Sequence, residues 1–469
     1  MVHNAPVSRT GGSEIDTIAA VATAPGKGAV AIIRISGPIA CDVAESIAGN
    51  IPSHRIAALR TFRNSSGEAI DTGLVIPFLQ PNSYTGEDVV ELQCHGGPAV
   101  VTALFSEVCS AGARPAERGE FTERAFLNGQ LDLSQAEAIA ALIDAESQAA
   151  RKAALRSLDG SYGNLIRDIA DRILELRSRI EATLDFPDEE DITDFNKPYL
   201  INELCEINSE INGLLQRAEN GLKLRSGYQI SLVGRPNVGK SKLMNVLVGR
   251  ESSIVTDTEG TTRDLIRERF ECNTQTVDLV DTAGIRFSES INSIELEGIR
   301  RAQQQIEESD IALLVIELHK GLGEDDIEVL RLIPEGKSLI VACNKADLCD
   351  DRASDLAYIA DNAGIDEARV IPVSAISGTG LHTLREIIAD VVADSDHGDV
   401  YASEQRHVDS FSSCKSHLEA AVNAYEREYD IAIVAEHLRN AQNSLSEITG
   451  HVTPEHVLDS IFSKFCIGK

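Results

Sequence analysis

The order of apolar and polar positions divides the chain into three textures. From Asp16 to about Gln130, short β-rich runs such as "AVAIIRIS" and "DVVELQC" alternate with Gly/Pro turns and a helix-like stretch, which predicts a compact α+β domain. From Leu131 to Leu222 the apolar period becomes helical. Ile166, Ile169, Ile173, Leu176, Ile180 and Leu184 form one stripe at 3/4 spacing, and Leu200, Leu204, Ile207, Ile211, Leu214 and Ala218 form another. Such stripes predict helices packed on one another rather than a cofactor box. The intervening "DFPDEEDITDF" reads as a solvated acidic connection.

From Tyr228 the apolar strands become continuous: "ISLVG", "VDLVD", "IALLVIEL", "SLIVACNK" and "VIPVSA", spaced by amphipathic helices. That texture predicts a doubly wound, mostly parallel sheet covered on both faces. Helical patterning returns after about Val392. The expected architecture is multidomain, α/β with α: an N-terminal α+β domain at residues 1–130, a discontinuous helical domain at 131–222 and 393–469, and an inserted α/β domain at 223–392.

Composition narrows the function classes. At 469 residues and 43% hydrophobic content the chain has the make-up of a globular protein, and no run approaches the ~20 apolar residues of a membrane helix. The N-terminal residues lack the apolar core of a secretory signal, so a cytoplasmic protein without a membrane partner is expected. The nine cysteines are scattered and contain no CxxC pair, a pattern of reduced thiols without a structural zinc site. With 43 basic and 74 acidic residues the net charge is −31, and only 12 of the basic residues are lysine. Any nucleic-acid substrate must therefore meet a local basic patch or a partner's surface.

Three motifs carry chemistry. "GRPNVGKS", Gly234 to Ser241, follows a strand and opens a helix, as a phosphate loop must. The backbone from Asn237 through Val238 and Gly239 cradles phosphates, Lys240 reaches the terminal ones, Ser241 ligates magnesium, and Lys242 continues the segment into the helix. In "DTAG", Asp281 holds magnesium through water, Thr282 and Ala283 follow, and Gly284 senses the γ-phosphate. In "NKAD", Asn344, Lys345 and Asp347 fix the base, because the Asp347 carboxylate accepts both the ring N–H and the exocyclic amine of guanine. Ser374 and Ala375 of "SAISG" support the base from the far side. The nucleotide implied is GTP with Mg2+.

Two features depart from Ras-type switches. The residue after "DTAG" is Ile285, which cannot orient a water as a glutamine does. The loop "TDTEGTTRD" and Asn237 offer hard oxygen ligands for a potassium ion, which can supply the charge that an arginine finger supplies elsewhere. Asn237 can alternatively serve only to cap its turn.

The phosphate-loop asparagine, "GTTRD", "DTAGIR", "PNSYTGEDVVELQCHGG", "GEFTERAFLNGQLDLSQAEAIA", "LDFPDEE" and "LSEITG" with the terminal "IFSKFCIGK" together resemble the MnmE (TrmE) family of tRNA-modification GTPases. The resemblance runs from Asp16 to Lys469. It implies a Ras-like G domain at 223–392 and an N-terminal domain that binds tetrahydrofolate, as the 5,10-methylene or 5-formyl form, and makes a homodimer. It also implies an MnmG-type flavoprotein partner that carries FAD, a heterotetramer of the two, and a carboxymethylaminomethyl or aminomethyl group added at C5 of the wobble uridine of certain tRNAs.

Residue by residue, the resemblance implies K+ ligands Asn237, Thr256, Thr258 and Thr261, and Mg2+ ligands Ser241 and Thr262, with Thr256 and Thr262 also lining the nucleotide. The water-orienting glutamate would be Glu295, with Glu289 as the other match, and the folate ligands Arg34, Glu91, Gln130 and Lys469. Gln130 stands where a lysine is common in the family. Cys466, the fourth residue from the end, would lie near the one-carbon donor as a proton donor or nucleophile. It does not suit a prenylation box, since Gly468 is not aliphatic. The competing reading is a ribosome-assembly GTPase that binds rRNA; the chain has a single phosphate loop and no recognisable KH clamp.

Overall fold

The computed structural model describes residues 16–185, 197–249, 267–272, 275–281, 293–349, 353–393, 400–427, 431–450 and 455–468. Packing divides the chain into two units. One comprises Met1–Ile143, Arg156–Asn212 and Asp409–Lys469, and the other Asp144–Leu155 and Gly213–Val408.

The first unit begins with β1 (Ile18–Val21), β2 (Ala31–Ser36), α1 (Ala40–Ala48), β3 (Ala58–Arg63), β4 (Ala69–Phe78), β5 (Val89–Cys94), α2 (Pro98–Ser110), β6 (Arg114–Pro115) and α3 (Glu120–Leu127). The strands lie in the order β3-β4-β5-β2-β1-β6, antiparallel except that β1 and β6 run parallel. Period-2 alternation decides what each face does. Ala31, Ile33 and Ile35 of β2 are buried in a core shared with Val43 and Ile47 of α1 and Leu104 and Val108 of α2, whereas Ile32 and Arg34 point to the other face. Each fully buried Ile or Leu stabilises the fold by about 1.5–3 kcal/mol relative to exposure.

Next in the chain are α4 (Leu133–Ile143), α5 (Gln148–Leu158), α6 (Ser161–Asp185) and α7 (Lys197–Ser226). The first helical stripe is buried at Ile166, Ile169, Ile173, Leu176 and Ile180, but Leu184, in the last turn of α6, is 40% exposed. The second stripe, Leu200 to Ala218 along α7, is buried at all six positions.

The second unit contains β7 (Tyr228–Val233), α8 (Lys240–Val248), β8 (Arg267–Cys272), β9 (Gln275–Asp281), α9 (Ser293–Glu308), β10 (Ile311–Glu317), α10 (Glu324–Arg331), β11 (Ser338–Asn344), α11 (Ala353–Ala363), β12 (Val370–Pro372) and α12 (Leu381–Ala393). Its sheet order is β12-β11-β10-β7-β9-β8, parallel except for the β8/β9 pair. The central strand β10 is buried at every position. Ile311, Leu313 and Val315 enter one core with Leu243 of α8 and Leu384 of α12; Ala312, Leu314 and Ile316 enter another with Ile306 of α9, Val329 of α10 and Ile359 of α11. Two cores on opposite faces are what makes the strand read as an uninterrupted apolar run.

The chain closes with α13 (Gln405–Glu426), α14 (Ile431–Thr449) and α15 (Glu455–Phe462). Within the first unit α14 packs along α6, and Arg177 Nη1 donates to Gln442 Oε1 at 2.8 Å across them. Leu458, Ile461, Phe462 and Phe465 form an apolar cluster with Phe126 of α3 and Leu133 of α4. Beyond α15 the chain returns to the first sheet. Ile467 bridges Arg118, and Gly468 (φ +97°) lies where an added Cβ would stand 2.6 Å from the Val21 carbonyl oxygen. None of the described helices is long and apolar enough to cross a membrane.

Candidate active site

In the second unit β7 delivers the chain to a loop that only particular residues can form. Gly234 (φ +146°) approaches β10 so closely that a Cβ would sit 2.4 Å from the Val315 carbonyl oxygen. Asn237 takes a left-handed conformation at φ +67°, which asparagine tolerates better than most residues. The helix α8 then starts at Lys240, and its unpaired N-terminal amides and dipole favour an anion.

The Lys240 ammonium folds over this loop, donating to Gly234 O at 2.8 Å and to Arg235 O at 3.1 Å. Burial pushes its pKa down, opposed by the charge of Asp281. Ser241 Oγ donates to Asp281 Oδ2 at 2.9 Å, while Asp281 Oδ1 is buried without a hydrogen-bond partner. A buried carboxylate oxygen beside a serine hydroxyl is a hard donor set of the kind magnesium takes. These two residues fit that ion, directly or through water.

On the base side, Asn344 is 3% exposed and works as a stitch. Its Nδ2 donates to Val238 O in the phosphate loop at 2.8 Å, and its Oδ1 accepts from Ala375 N at 3.2 Å. The carboxylate of Asp347 accepts from Ser374 Oγ at 2.5 Å, and that hydroxyl in turn accepts from Ile376 N and Ser377 N at 3.2 and 3.1 Å. The loop at residues 234–241, Asp347 and the loop at Ser374 are thus one hydrogen-bonded assembly. Lys242 is exposed on α8.

Two buried acids in this unit were not singled out by the motifs. Glu317, at the end of β10, holds Lys345 through Oε1 and Lys320 at 2.6 Å through Oε2. Asp326, fully buried, accepts from Arg235 Nε at 2.6 Å and from Gly323 N at 3.0 Å, tying the loop to the start of α10. The available signal was a carboxylate ending an otherwise apolar strand. Thr256, Thr258, Thr261, Thr262, Thr282, Ala283, Gly284, Glu289 and Lys469 lie outside the described residues, and Glu295 falls in the first turn of α9.

In the first unit Arg34 and Glu91 stand opposite each other on β2 and β5. Expected as separate ligand contacts, they are bonded to one another, Nε and Nη2 of Arg34 donating to Glu91 Oε1 at 3.1 and 2.9 Å. The guanidinium carbon lies 5.3 Å from the centre of the Tyr84 ring and 5.8 Å from that of Phe121, within cation–π range. Burial raises the Tyr84 pKa, opposed by its bond to Thr122. Gln130 is exposed beside Gly86, where a Cβ would stand 3.1 Å from its Nε2. Cys466 is exposed in the tail that returns to β1, the strand neighbouring β2.

Beside these, Arg114 and Arg124 share Asp16 and Glu120, and Arg124 also reaches Glu87. Among the described residues no group of three or more His, Cys, Asp or Glu side chains is arranged to hold a metal.

The chain matches the family described as the MnmE helical domain over residues 133–466, and the GTP-binding protein TrmE N-terminus over residues 17–130. It is 46% identical over 457 residues to the tRNA modification GTPase MnmE of Halorhodospira halophila, covering 97% of this chain and 96% of that protein. To the protein of the same name from Laribacter hongkongensis it is 41% identical over 459 residues, covering 97% and 99%. Among solved structures, an Era variant from Aquifex aeolicus bound to GDP and AlF4− is 24% identical, covers 40% of this chain and 66% of that one, and aligns with a TM-score of 0.31.

Proposed function

The chain belongs to the MnmE family of tRNA modification GTPases, and on that premise we propose that it hydrolyses GTP in a potassium-activated step that drives modification of the wobble uridine of certain tRNAs. In this reading residues 223–392 are the G domain, residues 1–130 the folate-binding and dimerising domain, and residues 131–222 with 393–469 the helical domain. The observation that carries the nucleotide assignment is the stitch by Asn344, which joins the phosphate loop to the loop that steers Asp347.

The roles follow from the groups present. Lys240, relieved of part of its charge preference by burial, exchanges its carbonyl partners for the terminal phosphates. Ser241 and Asp281 hold the divalent ion, and Asp347 reads guanine. Potassium, when bound, adds positive charge beside the phosphates where charge develops in the transition state. Asn237 is its described ligand, with Thr256, Thr258 and Thr261 completing the set and Thr262 joining Ser241 on magnesium. Glu295 orients the attacking water.

The modification itself is assigned to the first unit together with a reduced folate and an MnmG-type flavoprotein bearing FAD, in a heterotetramer built on a homodimer of this chain in the cytoplasm. Arg34 and Glu91 form a neutral pair on β2 and β5 flanked by two aromatic rings. That arrangement suits an aromatic ligand carrying both hydrogen-bond donors and a carboxylate. Gln130 and Lys469 complete the proposed pocket, with Cys466 beside the one-carbon unit. The product is a carboxymethylaminomethyl or aminomethyl group at C5.

The test has two arms. GTP hydrolysis is measured in KCl and in NaCl at matched ionic strength; faster turnover in KCl, lost in Asn237→Ala, is the expected result, and equal rates in the two salts contradict the potassium step. In the second arm the protein, an MnmG-type flavoprotein, unmodified tRNA, GTP, K+, a folate donor and reductant are combined and the nucleosides read by mass spectrometry. Modified wobble uridine is expected, and its absence with active GTPase returns the rRNA reading.

A further inference from the structure

Within the unit read as a GTPase, we propose that Glu317 is a positioning residue for the phosphate loop, acting through Lys345 on the backbone of Asn237. The inference rests on the GTPase reading and goes beyond it, since Glu317 belongs to none of the nucleotide motifs.

Glu317 ends a strand whose other six residues are apolar, and it is only 4% exposed. A carboxylate there is costly unless it is paired. The register of β10 on β11 sets it directly opposite Asn344, one residue before Lys345. Its Oε1 takes the Lys345 ammonium, and its Oε2 takes Lys320 at 2.6 Å, with His319 Nε2 at 3.6 Å. Lys320 is itself 57% exposed, so the inner partner is Lys345, at 30%.

The same ammonium has a second acceptor, the carbonyl oxygen of Asn237 at 3.2 Å. Among the described residues, three non-glycine positions adopt positive φ: Arg55, Asn237 and Lys345. Two of these three are therefore joined by one ammonium group, and Glu317 is the anion that holds it. Left-handed conformations at such residues persist only when their surroundings over-determine them, and they concentrate at functional sites. Glu317 supplies that constraint. It fixes the Asn237 peptide, whose side chain is the proposed potassium ligand, without touching nucleotide or ion.

Removing the charge but not the shape tests this. In Glu317→Gln, Lys345 loses its ionic partner, and a charge-assisted bond of this kind corresponds to about tenfold or more in affinity. The Kd for a fluorescent GDP and the KCl concentration giving half-maximal hydrolysis should both rise by about that factor. Glu317→Asp should recover part of the loss, and Lys320→Ala should stay within about twofold of wild type, because it leaves the Glu317–Lys345 contact in place.

A double-mutant cycle then asks whether the effect runs through Lys345. On a Lys345→Gln background, Glu317→Gln should add almost nothing. Full additivity, or an unchanged potassium response in a Glu317→Gln protein whose melting temperature has fallen, would overturn the proposal and leave Glu317 a local fold residue. The two readings separate on the wild type: failure of the wild-type protein to bind GDP overturns the GTPase reading itself, whereas normal wild-type binding with an indifferent Glu317→Gln overturns only the inference.

Discussion

At the scale of single residues, the acidity of Glu317 gives a pH signature. Burial alone would raise its pKa, but the hydrogen bonds and charges of Lys320 and Lys345 outweigh burial and hold it at about 2, against an ordinary value of 4.5. A carboxylate whose pKa falls on folding stabilises the folded state at every pH above its unfolded value. That contribution is lost as pH falls from about 4.5 towards about 2. In urea titrations the stability gap between wild type and Glu317→Gln should therefore be steady near neutral pH and narrow across that acidic window. A gap as wide at pH ~3 as at pH ~7 would count against the pairing.

At the scale of elements, the tail that returns to β1 is held by backbone geometry as much as by side chains. Gly468 combines a left-handed φ with an approach that leaves no room for a Cβ. Gly468→Ala should thus cost about 1 kcal/mol or more and loosen the tail. Alkylation followed by mass spectrometry provides the readout. Cys466 should label faster in the variant, while Cys343 and Cys414, whose thiols burial pushes up to about 12, should stay unlabelled in both proteins. Unchanged labelling of Cys466 would mean that the apolar cluster around Phe462 alone holds the tail.

The same scale shows what could be read in advance. The α6 and α7 stripes were legible because helical burial has a period that sequence displays, and Leu184 departs from its stripe only in the last turn of its helix. The doubly wound sheet was legible because β10 is buried on both faces. The bond of Arg34 to Glu91 spans 57 positions and that of Arg235 to Asp326 spans 91. Each depends on which strands or loops become neighbours, information that no local period carries. The phosphate loop itself was legible because its unusual backbone demands particular residues at fixed spacing; the acids that brace it were not, since a buried carboxylate has no spacing rule.

For the molecule as a whole, the charge of −31 sets the terms on which it meets a polyanion. At physiological ionic strength the Debye length is about 8 Å, so repulsion acts near the surface and local basic groups must overcome it there. In gel-shift titrations at about 150 mM salt, this chain alone should retain little tRNA, and retention should appear when an MnmG-type flavoprotein, the proposed partner, is added. Tight binding by the chain alone would instead locate a basic patch of its own.

The bridge between Arg118 and Ile467 also imposes an order on synthesis. Arg118 leaves the ribosome long before Ile467 does, so the six strands of the first sheet can pair early while the segment at Arg118 waits for the tail. The second sheet, whose strands all lie between these two residues, can also be complete before the tail emerges. A messenger broken late, or a protease nick near α15, would then yield a chain with both sheets formed but with the Arg118 bridge and the apolar cluster around Phe462 missing. Such a chain would keep the strand and helix that flank the phosphate loop while lacking the cysteine and lysine proposed above for the modification step.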